Sequence, residues 1–321
     1  MHDQSMVLFA DADAVHAHLP YPELVEALRR AHLKASPEFA AVVAADPTGA
    51  PNSFLALTAW QPNDMIAAKL VSVFPGNRAQ PSVQGLVVLF DGGDGSVRLV
   101  ADGAAMTFRK TAADSALGAA LLSREDAEVL LVVGAGGLAP HVIAAHTSVR
   151  PSLRTVLLWN RTPARAAALA TRTAVPGVHI EAVSELDEAV ARADIVSCVT
   201  MSTEPLVRGE LLRPGTHLDL VGSFTPAMRE ADDEALRRAA VFVDTRNGLE
   251  RSGEIQHALA TGALSPADLR GDLFELCTGQ VPGRTGAEEI TVYKNLGGAH
   301  LDLYTARHLL KSLGVAPTTD G

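Results

Sequence analysis

A glycine-rich turn, two neighbouring arginines and a lysine set in an apolar strand are the residues of this chain whose types and spacing could do chemistry. The turn is Gly134-Ala135-Gly136-Gly137-Leu138-Ala139, a G-x-G-x-x-A run that follows the apolar stretch Val129–Val133 and opens a helical pattern. There Gly134 permits a tight turn, Gly136 lets the main chain approach a pyrophosphate, and Ala139 lets helix and strand pack closely. Ala135, Gly137 and Leu138 complete the loop, and the helix start offers free N–H groups and its positive dipole end to phosphates. A glycine turn without a ligand is the plain alternative, and the strand-turn-helix context tells against it.

The end of the next strand selects the coenzyme. NAD-selective sites place an acid there, about 20 residues on, to hold the ribose 2′-hydroxyl. This chain reads Trp159-Asn160-Arg161-Thr162-Pro163-Ala164-Arg165, with no acid. Asn160, Arg161, Thr162 and Arg165 can instead hold a 2′-phosphate through guanidinium and hydroxyl bonds. Ordinary surface cations are the alternative, but a cation at a helix start opposes the dipole. The pattern predicts NADP(H), with NAD(H) as the second choice. Thr200 and Gly222 end two later strands, where ligands of parallel sheets bind.

Lys69 shares a strand face with Ala67, Val71 and Val73. A lysine there is costly unless it is paired, faces a cleft or reaches water at a sheet edge. Arg109 and Lys110 lie in a helical stretch with apolar neighbours, so one of them is expected to face inward. His300 and Asp302 read as helix-start residues. No H-E-x-x-H spacing and no C-x-x-C pair occurs, so no metal is expected.

These residues need elements to position them. Residues 22–33 read as an amphipathic helix, 52–60, 66–74, 83–90 and 97–101 as strands, and 104–122 as a helix. From residue 129 apolar strands alternate with helices: strands at 129–133, 155–159, 178–182, 195–200, 217–221 and 241–244, with helices at 138–148, 163–172 and 185–192. That alternation means a doubly wound parallel sheet of Rossmann type. The fold expected is an α/β dinucleotide-binding domain over 126–298. An α+β segment over 1–125 precedes it, and the final helix, within 299–321, is open to packing on either.

The composition excludes other classes. The net charge of −10 and the lack of a basic stripe argue against nucleic acid. No run approaches the ~18 apolar residues of a membrane span. Residues 1–5 lack the regions of a signal peptide, and two cysteines cannot build a disulfide framework. A cytoplasmic protein is expected.

Taken together, the Gly134–Ala139 loop, the Asn160-Arg161-Thr162 turn and Met106-Thr107-Phe108-Arg109-Lys110-Thr111-Ala112-Ala113 resemble the ornithine cyclodeaminase/mu-crystallin family. Two more segments add to the resemblance: Val221-Gly222-Ser223-Phe224-Thr225-Pro226-Ala227-Met228-Arg229-Glu230, and Glu289-Ile290-Thr291-Val292-Tyr293-Lys294-Asn295. The resemblance implies a homodimer or higher oligomer, in which residues 1–125, completed by the C-terminal helix within 299–321, form the substrate and dimerisation domain, and an enzyme acting on a small imino or amino acid. It implies that Lys69 contacts substrate, that Lys110 stands for a family arginine, and that Lys294 lies in a segment approaching the nicotinamide. Phe224 occupies the place where ornithine cyclodeaminases carry a proton-moving aspartate. The departure points to the branch that reduces cyclic imine 2-carboxylates such as Δ1-pyrroline-2-carboxylate or Δ1-piperideine-2-carboxylate, giving L-proline or L-pipecolate. The alternatives are a cyclodeaminase, an alanine or opine-type dehydrogenase, and a coenzyme-binding protein without catalysis. The family arginine near residues 37–42 has no counterpart here.

Overall fold

The structure, a computed structural model, describes residues 7–314. The reading of residues 1–5 lies outside them. The chain first runs β1 (Leu8–Ala10), α1 (Ala12–His18), α2 (Tyr21–Ala31), β2 (Glu38–Ala45), β3 (Ser53–Trp60), β4 (Met65–Val73), β5 (Val83–Asp91), β6 (Val97–Asp102) and α3 (Gly103–Leu122). It continues through β7 (Val129–Val133), α4 (Ala139–Val149), β8 (Thr155–Trp159), α5 (Pro163–Arg172), β9 (His179–Ala182), α6 (Leu186–Arg192), β10 (Ile195–Cys198) and β11 (His217–Leu220). It ends with α7 (Asp233–Arg237), β12 (Ala240–Val243), α8 (Gly253–Thr261), β13 (Leu269–Asp272), α9 (Leu273–Thr278), β14 (Thr291–Lys294) and α10 (Ala299–Ser312). Two compact units result, one holding the described residues up to Lys110 and from Gly298 on, the other residues 111–297. The division falls inside α3, whereas the sequence reading set it at 125/126.

The first unit is a six-stranded sheet of order β1-β6-β5-β4-β3-β2. Its strands pair antiparallel, except that β1 lies parallel to β6. The helix α10 packs across β3, β4 and β5 and against α2. Alternation along β4 buries Met65, Ala67 and Lys69 on one side. The reverse side carries Val42, Phe54, Trp60, Leu70, Leu86 and Phe90, by cross-strand register. All six keep half-exposed or exposed side chains. An apolar sheet face of this extent marks a binding surface.

The second unit is an eight-stranded, wholly parallel sheet of order β13-β12-β14-β11-β10-β7-β8-β9. The chain runs outward from β7 through β8 and β9 on one side and turns back to β10 and β11 on the other. That reversal is where open α/β sheets bind ligands. The strands β7, β10, β11, β12 and β14 are almost wholly buried, as strands covered on both faces are; β7 and β12 are apolar throughout, whereas β11 and β14 also bury His217, Asp219, Thr291 and Lys294. The sequence reading missed β14, which sits centrally between β11 and β12. Its four residues are too few to show a period. The second half of α3 belongs to this unit, with the Tyr293 hydroxyl donating to Asp114 at 3.0 Å. Among the described residues no helix is long and apolar enough to cross a membrane.

Candidate active site

The crest of the parallel sheet is built by the loops that leave β7, β8, β10 and β11. At Gly134 the chain turns with φ 115°, and its N–H donates to the Trp159 carbonyl at 2.8 Å. A Cβ there would stand 2.9 Å from the Val199 carbonyl oxygen, so glycine is required twice over. At Gly136 a Cβ would meet nothing within 4 Å, which leaves the main chain open to a ligand. The Ala135 N–H donates to Asn160 Oδ1 at 3.1 Å, and Asn160 Nδ2 donates to the Thr162 carbonyl at 3.0 Å. Asn160 thus ties the first loop to the second. The amides of Gly136, Gly137 and Leu138 have no acceptor among the described residues, and α4 begins at Ala139. Free N–H groups at a helix start suit a pyrophosphate.

Arg161, Thr162 and Arg165 are exposed beyond the end of β8. Neither arginine pairs with a carboxylate among the described residues. Both guanidinium groups therefore stand ready for a solvent-borne anion.

A buried carboxylate that sequence reasoning missed organises the other two loops. Glu230 Oε1 accepts from the Thr200 N–H at 2.7 Å and the Thr200 hydroxyl at 2.8 Å. Glu230 Oε2 accepts from the Gly222 N–H at 2.7 Å. The main chain around Glu230 is held in turn, because Glu254 accepts from the amides of Glu230 and Ala231 at 2.8 and 3.0 Å. Lys294 has no exposed surface. Its ammonium donates to the carbonyls of Leu220 and Gly222 at 2.9 and 2.5 Å, and to that of Asn295 at 2.8 Å. Lys294 therefore braces the loop after β11, and the expectation that it meets the coenzyme directly does not fit its burial. Burial pushes the Glu230 carboxyl up, against the opposing pull of Lys294 and the Thr200 donors. Thr200 and Gly222 stand at the crest as expected, with their amides committed to Glu230.

The first unit holds a separate cluster. Lys110 Nζ lies 2.8 Å from Asp302 Oδ2, and Lys69 Nζ lies 3.4 Å from Asp302 Oδ1. Lys69 also donates to Thr107 Oγ1 at 2.6 Å, and Lys110 reaches the Gly298 carbonyl at 3.4 Å. All three charged side chains are at least nine-tenths buried. Burial pulls the Lys69 ammonium down to about 8; Asp302 opposes the fall and Lys110 adds to it. Lys69 and Lys110 are thus brought together, on the shared counter-ion Asp302. Asp302 had read as a helix-start residue. It does stand in the first turn of α10, and it also lies on the buried stripe Asp302, Thr305, Ala306 and Leu309. Arg109 is turned elsewhere. Its guanidinium donates to His16 Nδ1 at 3.1 Å and to the His16 carbonyl at 2.9 Å, and lies 4.6 Å above the Tyr21 ring. Of the two neighbouring cations, Lys110 is thus the one beside Lys69, while Arg109 fastens α1 and α2. Among the described residues no cluster could hold a metal ion.

A model of the ornithine cyclodeaminase/mu-crystallin family matches residues 20–313. The chain belongs to this family. It is 41% identical over 296 residues to the Delta(1)-pyrroline-2-carboxylate reductase of Paracoccus denitrificans, covering 91% of this chain and 93% of that one. It is 38% identical over 247 residues to the ketimine reductase mu-crystallin of Mus musculus, covering 76% and 75%. Among solved structures it is similar to Thermococcus litoralis Delta(1)-pyrroline-2-carboxylate reductase in complex with NADH and L-proline. The TM-score there is 0.88, at 26% identity over 98% of this chain and 100% of that one.

Proposed function

We propose that the protein reduces a cyclic imine 2-carboxylate, such as Δ1-pyrroline-2-carboxylate or its six-membered homologue, with NADPH. It is an oxidoreductase acting on a C=N bond. The observation that carries the reading is the Lys69–Lys110–Asp302 cluster, in which two buried ammonium groups share one carboxylate. An incoming substrate carboxylate would meet two ammonium groups gathered at one place, which suits a buried anion. The names of the relatives, reductases of that substrate class, support the same reading. Phe224 supports it too, because a phenyl ring cannot move the protons that expulsion of ammonia requires.

The crest fits a nicotinamide dinucleotide. Gly136, Gly137 and Leu138 would hold the pyrophosphate on their free amides, and Arg161, Thr162 and Arg165 the 2′-phosphate of NADP(H). When bound, the coenzyme supplies the hydride for the imine carbon. The chain's own residues bind, orient and protonate. Lys110, on the shorter contact to Asp302, adds fixed positive charge. Lys69 orients the carboxylate, and with its lowered affinity for protons it can give one to the imine nitrogen near neutral pH. Thr107 Oγ1 keeps the Lys69 ammonium in place.

Oxidation of NADPH with Δ1-pyrroline-2-carboxylate tests the reading directly; turnover with neither that imine nor its six-membered homologue would overturn it. Coenzyme choice has its own test. Arg161→Asp is expected to shift the NADPH-to-NADH ratio of kcat/KM by about tenfold to a hundredfold toward NADH, since a charged hydrogen bond is lost and a repulsion gained. An unchanged ratio would remove Arg161 from the 2′-phosphate.

The bare apolar sheet face of the first unit is proposed as the contact with a second copy, giving the homodimer that the sequence motifs imply. Leu70→Glu puts a charge on that face without touching α10. It is expected to leave a monomer in light scattering, while a dimer of parental size would exclude the face.

A further inference from the structure

The second unit exposes two large apolar side chains among its described residues, Met201 at 74% and Phe224 at 55%. They follow the carboxyl ends of the adjacent strands β10 and β11, beside the reversal at β7. We propose that Met201 and Phe224 form the apolar wall of the nicotinamide ring, and that Glu230 is the positioning residue that fixes both loops to present it. The proposal rests on the reading that a dinucleotide lies along this crest.

The geometry is specific to these two loops. The Glu230 carboxylate receives Thr200, next to Met201, on one oxygen and Gly222, two residues before Phe224, on the other. The loops also touch directly: a Cβ on Gly222 would collide with the Thr200 carbonyl oxygen and with Glu230. Between Gly222 and Phe224 stands Ser223 with φ 53°, a left-handed conformation uncommon outside glycine. Its side chain is fully buried, and its hydroxyl finds no partner among the described residues. Nothing local to Ser223 offsets that strain. The clamp on Gly222 by Glu230 and by Lys294 does, and its consequence is that Ser223 turns inward and Phe224 outward. Strain held by surrounding structure gathers at ligand sites. An exposed aromatic ring and a polarisable thioether on neighbouring loops suit the face of a flat, partly apolar ring.

The test separates the two halves of the coenzyme. Affinities for NADPH and for 2′-phospho-ADP-ribose, which lacks the nicotinamide, are measured by titration calorimetry on the full chain. Phe224→Ala and Glu230→Gln are each expected to weaken NADPH by about fivefold to tenfold and to leave the fragment unchanged, in keeping with the loss of one aromatic contact. Thr200→Val removes only one donor to Glu230 and is expected to give a smaller loss in the same direction, which keeps the test open if Glu230→Gln does not fold. Parallel losses for both ligands, or none for either, would overturn the proposal alone. A parent protein that binds neither ligand would overturn the coenzyme reading and this proposal with it.

Discussion

Lys69→Ala is expected to lower kcat/KM for the cyclic imine by about two to three orders of magnitude, with the dissociation constant for NADPH unchanged. Three features of Lys69 combine in that loss. The side chain is buried, so no water cation replaces it cheaply. It sits opposite Asp302, so its removal takes away one of the two ammonium groups that a substrate carboxylate would meet there. It binds its proton with a pKa near 8, so it can deliver that proton at neutral pH. The same value sets a pH dependence. Lysine is charged below its pKa, so kcat/KM of the parent should fall as pH rises through about 8. Lys69→Arg, which stays protonated throughout, should lose that alkaline limb while keeping part of the affinity for the imine. Equal activity of Lys69→Ala and parent, or an alkaline limb that persists in both variants, would remove Lys69 from the chemistry.

Legibility differed between the halves of the fold for reasons that individual elements make plain. The strands β7 and β8 and the helix α5 were readable to the residue, because unbroken apolar strands were followed at once by a glycine turn or by proline. The helices α8 and α9, with β13 and β14, were not: short segments of four to nine residues carry no detectable period and are held by tertiary burial and caps. Lys69 declared itself because a cation on an apolar strand face needs a reason. Asp302 offered the same kind of signal, an acid on the buried stripe of a helix, and was passed over as a helix-start residue. Adjacent residues of a helix point about 100° apart, so sequence could not choose between Arg109 and Lys110. Packing chose Lys110, through a partner 192 residues away. Glu230 was visible only as part of a motif, since two of its three donors come from Thr200 after β10, 30 residues upstream, and the third from Gly222, 8 residues back on its own loop.

Asp302→Asn is expected to destabilise the first unit by about 3–5 kcal/mol near neutral pH, the cost of leaving buried charge without its partner. The cost has a limit that pH can expose. Asp302 is the group that holds the Lys69 pKa up against burial. At 3.4 Å such a pair is coupled by several kcal/mol even at the screened effective dielectric of proteins. Its loss therefore lowers the folded-state pKa of Lys69 further, since burial then acts with Lys110 and without the opposing carboxylate, and the lysine sheds its proton more readily. Two opposite effects on binding follow. A still-charged Lys69 without Asp302 would attract the substrate carboxylate more strongly, whereas a neutral one would not hold it. The direction of the shift decides for the second, so KM should rise. The sign for stability runs the same way. Lys69 has a folded pKa below its unfolded value of 10.5, so between the two the unfolded chain binds more protons and stability grows with pH. In Asp302→Asn that window opens wider toward low pH. The thermal midpoint of the variant should therefore recover toward that of the parent as pH rises from about 6 to about 8, where the parent's own Lys69 begins to titrate, and the difference should level off above it. A deficit that stays constant across that range would mean that Asp302 acts by packing alone, and that the gathering of charge from which the substrate carboxylate is inferred is not what the cluster is built for.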